Sequence, residues 1–226
     1  MRWLALPGVP AGPGVWSRLT LPYLSTHRFV GFQQGEHRDT WSLQSFVDEI
    51  RPKVDRETVL LGQNLGGLVA AVTALQTPVK AVVLTGTALG PWWLMPRMTA
   101  KWPLHYLFYN WYAGQRFMKK GVSPAVQQAF LAEFHSELHT PGLRAKMRLV
   151  GREMKPPVGL AGQLSSRTKV HLVWGTHDVH YPRWIPEVIR PLSQASLQWV
   201  NGGHYCMWEN PTVFTRALEN IRNNTL

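Results

Sequence analysis

Hydrophobic residues in this chain form short runs that alternate with longer segments of helical periodicity. Runs of four or five apolar residues favour buried strands, whereas apolar spacings of three and four favour helices. The alternation of the two predicts an α/β protein whose sheet of about six strands is mostly parallel and flanked by helices. We predict strands at residues 3–6, 28–31, 58–61, 81–84, 170–174 and 197–200, and helices at 15–24, 43–50, 65–75, 185–189 and 212–220.

The alternation stops after residue 88. From about residue 91 to residue 157 the chain is aromatic, basic and helical in pattern. We therefore expect a core formed by residues 1–90 and 158–226 and a helical segment, residues 91–157, inserted into it. A chain of 226 residues is long enough to bury a sizeable core as one domain.

The stretch 59–67 carries the clearest chemical pattern. It reads Val-Leu-Leu-Gly-Gln-Asn-Leu-Gly-Gly, which is a short apolar strand, a glycine-rich turn and the start of a helix. This is the context of the nucleophile elbow G-x-S-x-G, with Asn64 at the serine position. An amide side chain is a poor nucleophile. The motif therefore predicts the fold of an enzyme, whereas Asn64 argues against a covalent intermediate at this position.

Three further motifs follow predicted strands. The strand at 170–174 is followed by Gly-Thr-His-Asp, ending at Asp178, and the strand at 197–200 by Asn-Gly-Gly-His, ending at His204. The first strand ends at Pro7-Gly8-Val9. Nucleophile, acid and histidine in this order is the arrangement of α/β-hydrolases. On these motifs the chain resembles the α/β-hydrolase superfamily over nearly its whole length, as a lidded esterase-like or thioesterase-like member.

The resemblance assigns a role to each motif. It implies that Asn64 stands at the nucleophile position, Asp178 at the acid position and His204 at the general-base position. It also implies that the backbone N–H groups of Val9 and Leu65 form the oxyanion hole. In such a set the acid orients the imidazole, the imidazole moves protons, and the two donors stabilise a developing oxyanion.

The chain departs from the family pattern in three places. Asn64 replaces the serine, and Pro7 replaces the histidine that usually precedes the first oxyanion glycine. The first predicted strand corresponds to the family's third, so we expect the family's first two strands to be missing.

Asn64 leaves three interpretations open. The protein could be a non-catalytic member whose pocket only binds a ligand. Asp178 and His204 could act on water or on a substrate proton without a covalent step. Alternatively, Asn64 could stand in place of a serine, or of the aspartate that haloalkane dehalogenases and epoxide hydrolases use.

The chain is strongly basic, with a formal net charge of +11. Between residues 91 and 157 there are ten Lys and Arg and three Glu, so much of the excess falls in the inserted segment. A solvated basic face accounts for this, and so does a site for an anionic substrate or acyl carrier. No nucleic-acid-binding motif accompanies the charge, so we do not expect nucleic acid as a partner.

The inserted segment is also rich in large aromatic side chains. By the resemblance, this position holds a lid over the active site. Packing of the lid onto the core explains most of these aromatics, although some could line an apolar substrate pocket. The candidates for substrate binding are Trp92, Trp93 and Trp111.

Other features exclude several classes of protein. The single cysteine, Cys206, excludes an internal disulfide and suits a reducing compartment. No apolar run approaches membrane-spanning length, and the apolar stretch at the amino terminus is too short for a signal peptide. We therefore expect a cytoplasmic protein. No Cys/His cluster has zinc-like spacing, and no nucleotide-binding loop is present, so we expect neither a metal nor a cofactor.

Taken together, the sequence predicts an α/β-hydrolase-fold enzyme that hydrolyses a small apolar ester or thioester bearing an anionic group, or performs related acid–base chemistry. The alternative is a catalytically inactive member that acts as a ligand-binding or interaction protein. The pattern does not indicate an oligomeric state.

Overall fold

The computed structural model of the chain describes residues 1–8, 12–29, 42–87, 89, 118, 122–138 and 156–225. In these ranges six strands form one sheet, in the order β2-β1-β3-β4-β5-β6, and every neighbouring pair is parallel. The predicted α/β fold with about six strands is therefore confirmed. The strands are β1 (Arg2–Leu6), β2 (Leu24–Thr26), β3 (Thr58–Gln63), β4 (Ala81–Thr85), β5 (Lys169–Gly175) and β6 (Ser196–Val200).

Helices connect the strands and cover both faces of the sheet. In the described part of the chain none of them is long and apolar enough to span a membrane. The α-helices are α1 (Leu43–Ile50), α2 (Leu65–Gln76), α3 (Pro124–Leu138), α4 (Leu160–Ser165), α5 (Trp184–Ser193), α6 (Cys206–Glu209) and α7 (Pro211–Thr225). Short 3₁₀ helices occur at Pro13–Trp16 and Arg51–Lys53.

The core has two layers because side chains of a strand point alternately to opposite faces of the sheet. On β1, Leu4 belongs to the layer under α1, α2, α4 and α5, whereas Trp3 belongs to the layer under α7 and the first 3₁₀ helix. Leu60 and Val59 divide in the same way on β3. All six residues of β3 are buried, so this strand lies at the centre of the molecule.

Two predicted elements near the amino terminus are wrong. Residues 15–24 do not form a helix, because only Pro13–Trp16 is helical and turns follow it. Pro22 disfavours helical backbone at Leu21, so a helix could not have continued through to residue 24. The second strand lies at Leu24–Thr26; Arg28 and Phe29 of the predicted strand 28–31 are not in a strand, and its last two residues lie outside the described ranges. Phe29 is buried beyond the strand, with its ring 5.0 Å from that of Phe46 on α1.

Helix α3 lies within the segment predicted to be helical and inserted. Its buried Phe130 has a ring centroid 4.6 Å from that of Tyr205 and 5.8 Å from that of Trp208. Trp208 also donates from Nε1 to the carbonyl oxygen of Val126, at 3.3 Å. This helix therefore packs beside the segment that follows β6. Most of residues 91–157 lie outside the described ranges, so the lid stays a prediction.

Candidate active site

A sharp turn joins β3 to α2 at Asn64. Its backbone has φ 51° and ψ −116°, a left-handed conformation that costs a non-glycine residue about 1–3 kcal/mol. Three hydrogen bonds oppose this cost: Asn64 N–H donates to Thr85 O at 3.2 Å, and Asn64 O accepts from Gly67 N at 3.1 Å and Leu68 N at 3.2 Å. The turn therefore presents the Asn64 side chain at the carboxyl edge of the sheet.

Glycines make this turn possible. A Cβ on Gly62 would collide with the backbone of Gly66 and Gly67, so strand and helix approach more closely than side chains allow. Leu65 begins α2, and the first N–H groups of a helix have no partner within the helix. The Leu65 N–H is thus placed beside Asn64, where the sequence predicts one oxyanion donor.

Asp178 lies three residues beyond the end of β5. It is 4% exposed, and its Oδ1 accepts from two backbone N–H groups, His180 at 2.9 Å and Tyr181 at 2.8 Å. The carbonyl oxygen of Tyr181 in turn accepts from the indole Nε1 of Trp174 on β5, at 2.9 Å. The carboxylate is therefore fixed by the loop that carries it, and Oδ2 is directed at His204.

His204 follows β6 in a loop of glycines. Its side chain is 1% exposed, and its Nδ1 lies 2.9 Å from Asp178 Oδ2. Since a carboxylate can only accept, this contact places the proton on Nδ1 and leaves a lone pair on Nε2. Gly203 N–H donates to Glu209 Oε1 at 2.8 Å, which holds the loop against α6.

Two amide side chains face the Nε2 atom of His204. Gln63 Nε2 lies 3.0 Å from it and Asn64 Nδ2 lies 3.4 Å from it. In the Nδ1–H tautomer both amides are donors to the same lone pair. The structure thus brings together the three residues predicted at the nucleophile, acid and base positions, and it adds Gln63 to them. The catalytic roles themselves stay predictions.

His180 and Tyr181 form an aromatic wall beside His204. Their ring centroids lie 5.0 Å and 5.3 Å from that of His204. Burial, together with the nearby His204, lowers the pKa of His180 to about 3, although Asp178 opposes the shift. His180 is therefore neutral at physiological pH.

The remaining predicted residues divide between the described and undescribed parts of the chain. Val9, Trp92, Trp93 and Trp111 lie outside the described residues, so the second oxyanion donor and the substrate-binding aromatics stay predictions. Cys206 is buried beneath the site, and burial raises the pKa of its thiol. In the ranges given above, no group of three His, Cys, Asp or Glu side chains is arranged to hold a metal ion.

Sequence reasoning did not identify Gln63 or Tyr181 as parts of the site. The position before the nucleophile is variable in G-x-S-x-G, so the motif assigns no role to Gln63. Tyr181 contributes through its backbone N–H, which no side-chain pattern reveals. Only its position three residues after Asp178, within reach of a turn around the carboxylate, could have suggested it.

Solved structures with this fold include several hydrolases. An esterase from Thermogutta terrifontis matches with a TM-score of 0.76 at 15% identity, over 100% of this chain and 90% of that chain. A carboxylesterase from Nitrososphaera gargenis matches with a TM-score of 0.76 at 12% identity, over 99% and 90%. The enol-lactonase from Burkholderia xenovorans LB400 matches with a TM-score of 0.75 at 13% identity, over 98% and 91%. At these identities the likeness shows the fold alone.

The sequence itself provides the stronger comparison. The search of curated proteins found no significant match. The profile described as "Alpha/beta hydrolase family" matches residues 4–217, which is nearly the whole chain and includes Asn64, Asp178 and His204. The chain belongs to the alpha/beta hydrolase family.

Proposed function

We propose that this protein hydrolyses small carboxylic esters or thioesters, with His204 as a general base that activates water beside Asn64. The observation that carries the proposal is the buried contact of 2.9 Å between His204 Nδ1 and Asp178 Oδ2. Burying a polar pair is costly unless both partners are hydrogen-bonded, and here the carboxylate has three donors. The pair faces the elbow, where a substrate carbonyl would lie in this fold.

The reaction needs no covalent intermediate. Water transfers a proton to His204 Nε2 while its oxygen forms a bond to the acyl carbon. The negative charge moves to the carbonyl oxygen, beside the N–H of Leu65 and the predicted N–H of Val9. When the tetrahedral intermediate collapses, the bond to the leaving oxygen or sulfur breaks, and that atom takes the proton from Nε2.

The substrate class rests on the inserted segment. Its aromatic residues, including Trp92, Trp93 and Trp111, suit an apolar acyl chain or ring, and its basic residues suit an anionic group or an acyl carrier. The one cysteine, buried and unpaired with any other, is compatible with a reducing compartment, so we also propose a cytoplasmic location.

A second candidate is a non-catalytic ligand-binding protein on the same fold. It is supported by the two amides that face His204 Nε2, at 3.0 Å and 3.4 Å. Both amides donate to the Nε2 lone pair with which a general base would accept a proton, and the Asn64 amide is not a nucleophile. In this case the pocket would bind an ester-like or acyl ligand without turnover.

Hydrolysis of short-chain p-nitrophenyl esters and acyl thioesters separates the two candidates. The general-base proposal expects turnover without a burst, because no acyl-enzyme forms. His204→Ala should lose on the order of 10²–10⁴ in rate, whereas Asn64→Ala should retain most of it. Unchanged turnover in His204→Ala would overturn the proposal. Absence of turnover together with tight ligand binding would favour the second candidate.

Restoring a serine tests the geometry of the elbow independently. Asn64→Ser should be labelled at residue 64 by a serine-directed phosphonate, because the imidazole lies within reach of that position. The double variant Asn64→Ser/His204→Ala is the matched control and should not be labelled. A folded Asn64→Ser protein that stays unlabelled would count against a catalytic arrangement of Asp178 and His204.

A further inference from the structure

Of the two amides that face Nε2 of His204, Gln63 makes the shorter contact. Its side chain is fully buried, and Nε2 of the amide lies 3.0 Å from Nε2 of the imidazole. The two residues are 141 positions apart, so the contact depends on the assembled fold. Asn64, at the motif's central position, is more distant at 3.4 Å. Any proton that reaches His204 Nε2 must therefore replace the hydrogen bond from Gln63.

The other end of the same amide has no partner. Gln63 Oε1 is buried and accepts no hydrogen bond among the described residues. It lies against Gly8, where an added Cβ would occupy the space of the oxygen. A buried acceptor without a donor is destabilising, so the amide is well bonded at one end only. Rotation by 180° about its terminal bond would exchange the two ends.

We propose that Gln63 is a positioning residue whose amide rotates with the protonation state of His204. When the imidazole is neutral, the NH₂ end donates to the lone pair of Nε2. When Nε2 carries a proton, the amide turns so that Oε1 accepts from that N–H. One side chain thereby stabilises the ring before and after the proton transfer.

This assignment deepens the proposed function and rests on it for its catalytic meaning. In that reaction water gives its proton to His204 Nε2, and the imidazolium persists until the leaving group takes the proton away. Gln63 would hold the imidazolium in place during this interval, while Asp178 holds the opposite nitrogen. The hydrogen bond to the charged ring is the stronger of the two, because charge-assisted bonds are about twice as strong as neutral ones.

The test is an NMR titration of the His204 ring in protein labelled with ¹⁵N-histidine, with His204→Gln used for assignment. In Gln63→Leu the ring loses a donor in the neutral state and a better acceptor in the charged state. We expect the pH at which the ring protonates to fall by about one unit relative to the unsubstituted protein. A fixed donor would act only on the neutral ring, so its removal would raise that pH. A rise, or no change, overturns the proposal.

Two further variants guard the interpretation. Gln63→Met keeps an unbranched side chain of similar length and should shift the titration in the same direction, so it replaces Gln63→Leu if that variant fails to fold. Gln198→Leu makes the same chemical change on β6, where the amide donates to Ala217 O, and should leave the His204 titration unchanged.

Ester turnover measured in the same proteins separates this inference from the proposed function. If the pH at which His204 protonates falls as expected in Gln63→Leu, but the unsubstituted protein hydrolyses no ester, the hydrolase proposal is wrong and the rotating amide is supported. If ester turnover requires His204, but Gln63→Leu does not change the pH at which His204 protonates, the hydrolase proposal is supported and the rotating amide is wrong.

Discussion

Gly86 determines how closely the chain after β4 can approach the imidazole ring of His204. Its φ is +51°, and a Cβ built on it would lie 2.6 Å from Cε1 and 2.8 Å from Nδ1 of His204. No side chain fits there without moving the imidazole. The residue therefore combines a backbone requirement with a steric one.

We expect Gly86→Ala to destabilise the fold and to displace His204. The left-handed backbone costs an alanine about 1 kcal/mol, and the collision adds a further amount of about 1–3 kcal/mol. Gly159→Ala is a matched control, because its φ is +73° but the nearest side-chain atom is 3.5 Å from the added Cβ. Urea unfolding of both variants measures the difference. Equal losses would show that the contact with His204 is easily relieved.

The depressed pKa of His180 predicts a pH dependence of stability. Its folded value is about 3 and the usual value in an unfolded chain is about 6.5. Below pH 6.5, His180 therefore binds a proton in the unfolded chain but not in the native state. The free energy of unfolding falls as the pH drops towards 3. The slope from one such histidine is at most about 1.4 kcal/mol per pH unit.

His171, whose pKa burial lowers to about 4, acts in the same direction. His180→Phe keeps a ring beside His204 and removes the titration, so its free energy of unfolding should depend less steeply on pH between 4 and 6 than that of the unsubstituted protein. Guanidinium unfolding at several pH values measures both slopes. Identical slopes would mean that the native state accommodates a protonated His180.

At the scale of elements, several backbone hydrogen bonds hold the segment between β5 and α5. Asp178 accepts from the N–H groups of His180 and Tyr181, and Trp174 donates to Tyr181 O. Strand β5 thus contacts the loop through this indole N–H, and the start of the loop also donates from Thr176 N–H to Val200 O and from His177 N–H to Gly202 O. The Asp178 carboxylate is thus held by its own loop, and strand β5 supports that loop through Trp174.

We expect Trp174→Phe to loosen this segment while preserving most of the core. The variant keeps a large ring but leaves the Tyr181 carbonyl without its donor, at a cost of about 1–3 kcal/mol. Amide exchange at His180 and Tyr181 should become faster. Trp199→Phe on β6 is the control, since that ring is only partly buried and stacks under Arg183 at 4.8 Å. If amide exchange at His180 and Tyr181 is unchanged in Trp174→Phe, contacts other than the Trp174 hydrogen bond hold the loop.

For the whole molecule, the formal net charge of +11 predicts a stability that depends on salt. Like charges repel most strongly in the compact state, and salt screens this repulsion over about 8–10 Å near physiological ionic strength. Raising sodium chloride from low to moderate concentration should therefore raise the unfolding temperature. A parallel series with sucrose, which carries no charge, controls for changes in hydration. A flat response to salt would indicate that the positive charges are already paired locally.

The sequence predicted the sheet, and it singled out three residues that the structure brings together, because both depend on local patterns. Asn64, Asp178 and His204 follow strands in a fixed order, and the ends of parallel strands meet at one edge. The prediction of a helix at 15–24 was wrong because the apolar residues of successive turns there have the same spacing as those of a helix. In the predicted strand 28–31, the described residues Arg28 and Phe29 have irregular backbone, and buried Phe29 contributes to the core without being in a strand. Gln63 was not predictable, since its role depends on a rotamer and on a partner far along the chain.

The same separation in sequence has a consequence for folding. Strand β3 and its elbow pair with β1 and β4, which are close to it in the chain, whereas His204 follows β5 and β6. We therefore expect His204 to reach the elbow only after these two strands have joined the sheet. Closing a contact between residues 140 positions apart is entropically slow. No amino-terminal fragment ending before residue 204 can therefore hold the site. The His204 ring signal should be among the last to reach its native position during refolding, and it would report completion of the entire sheet.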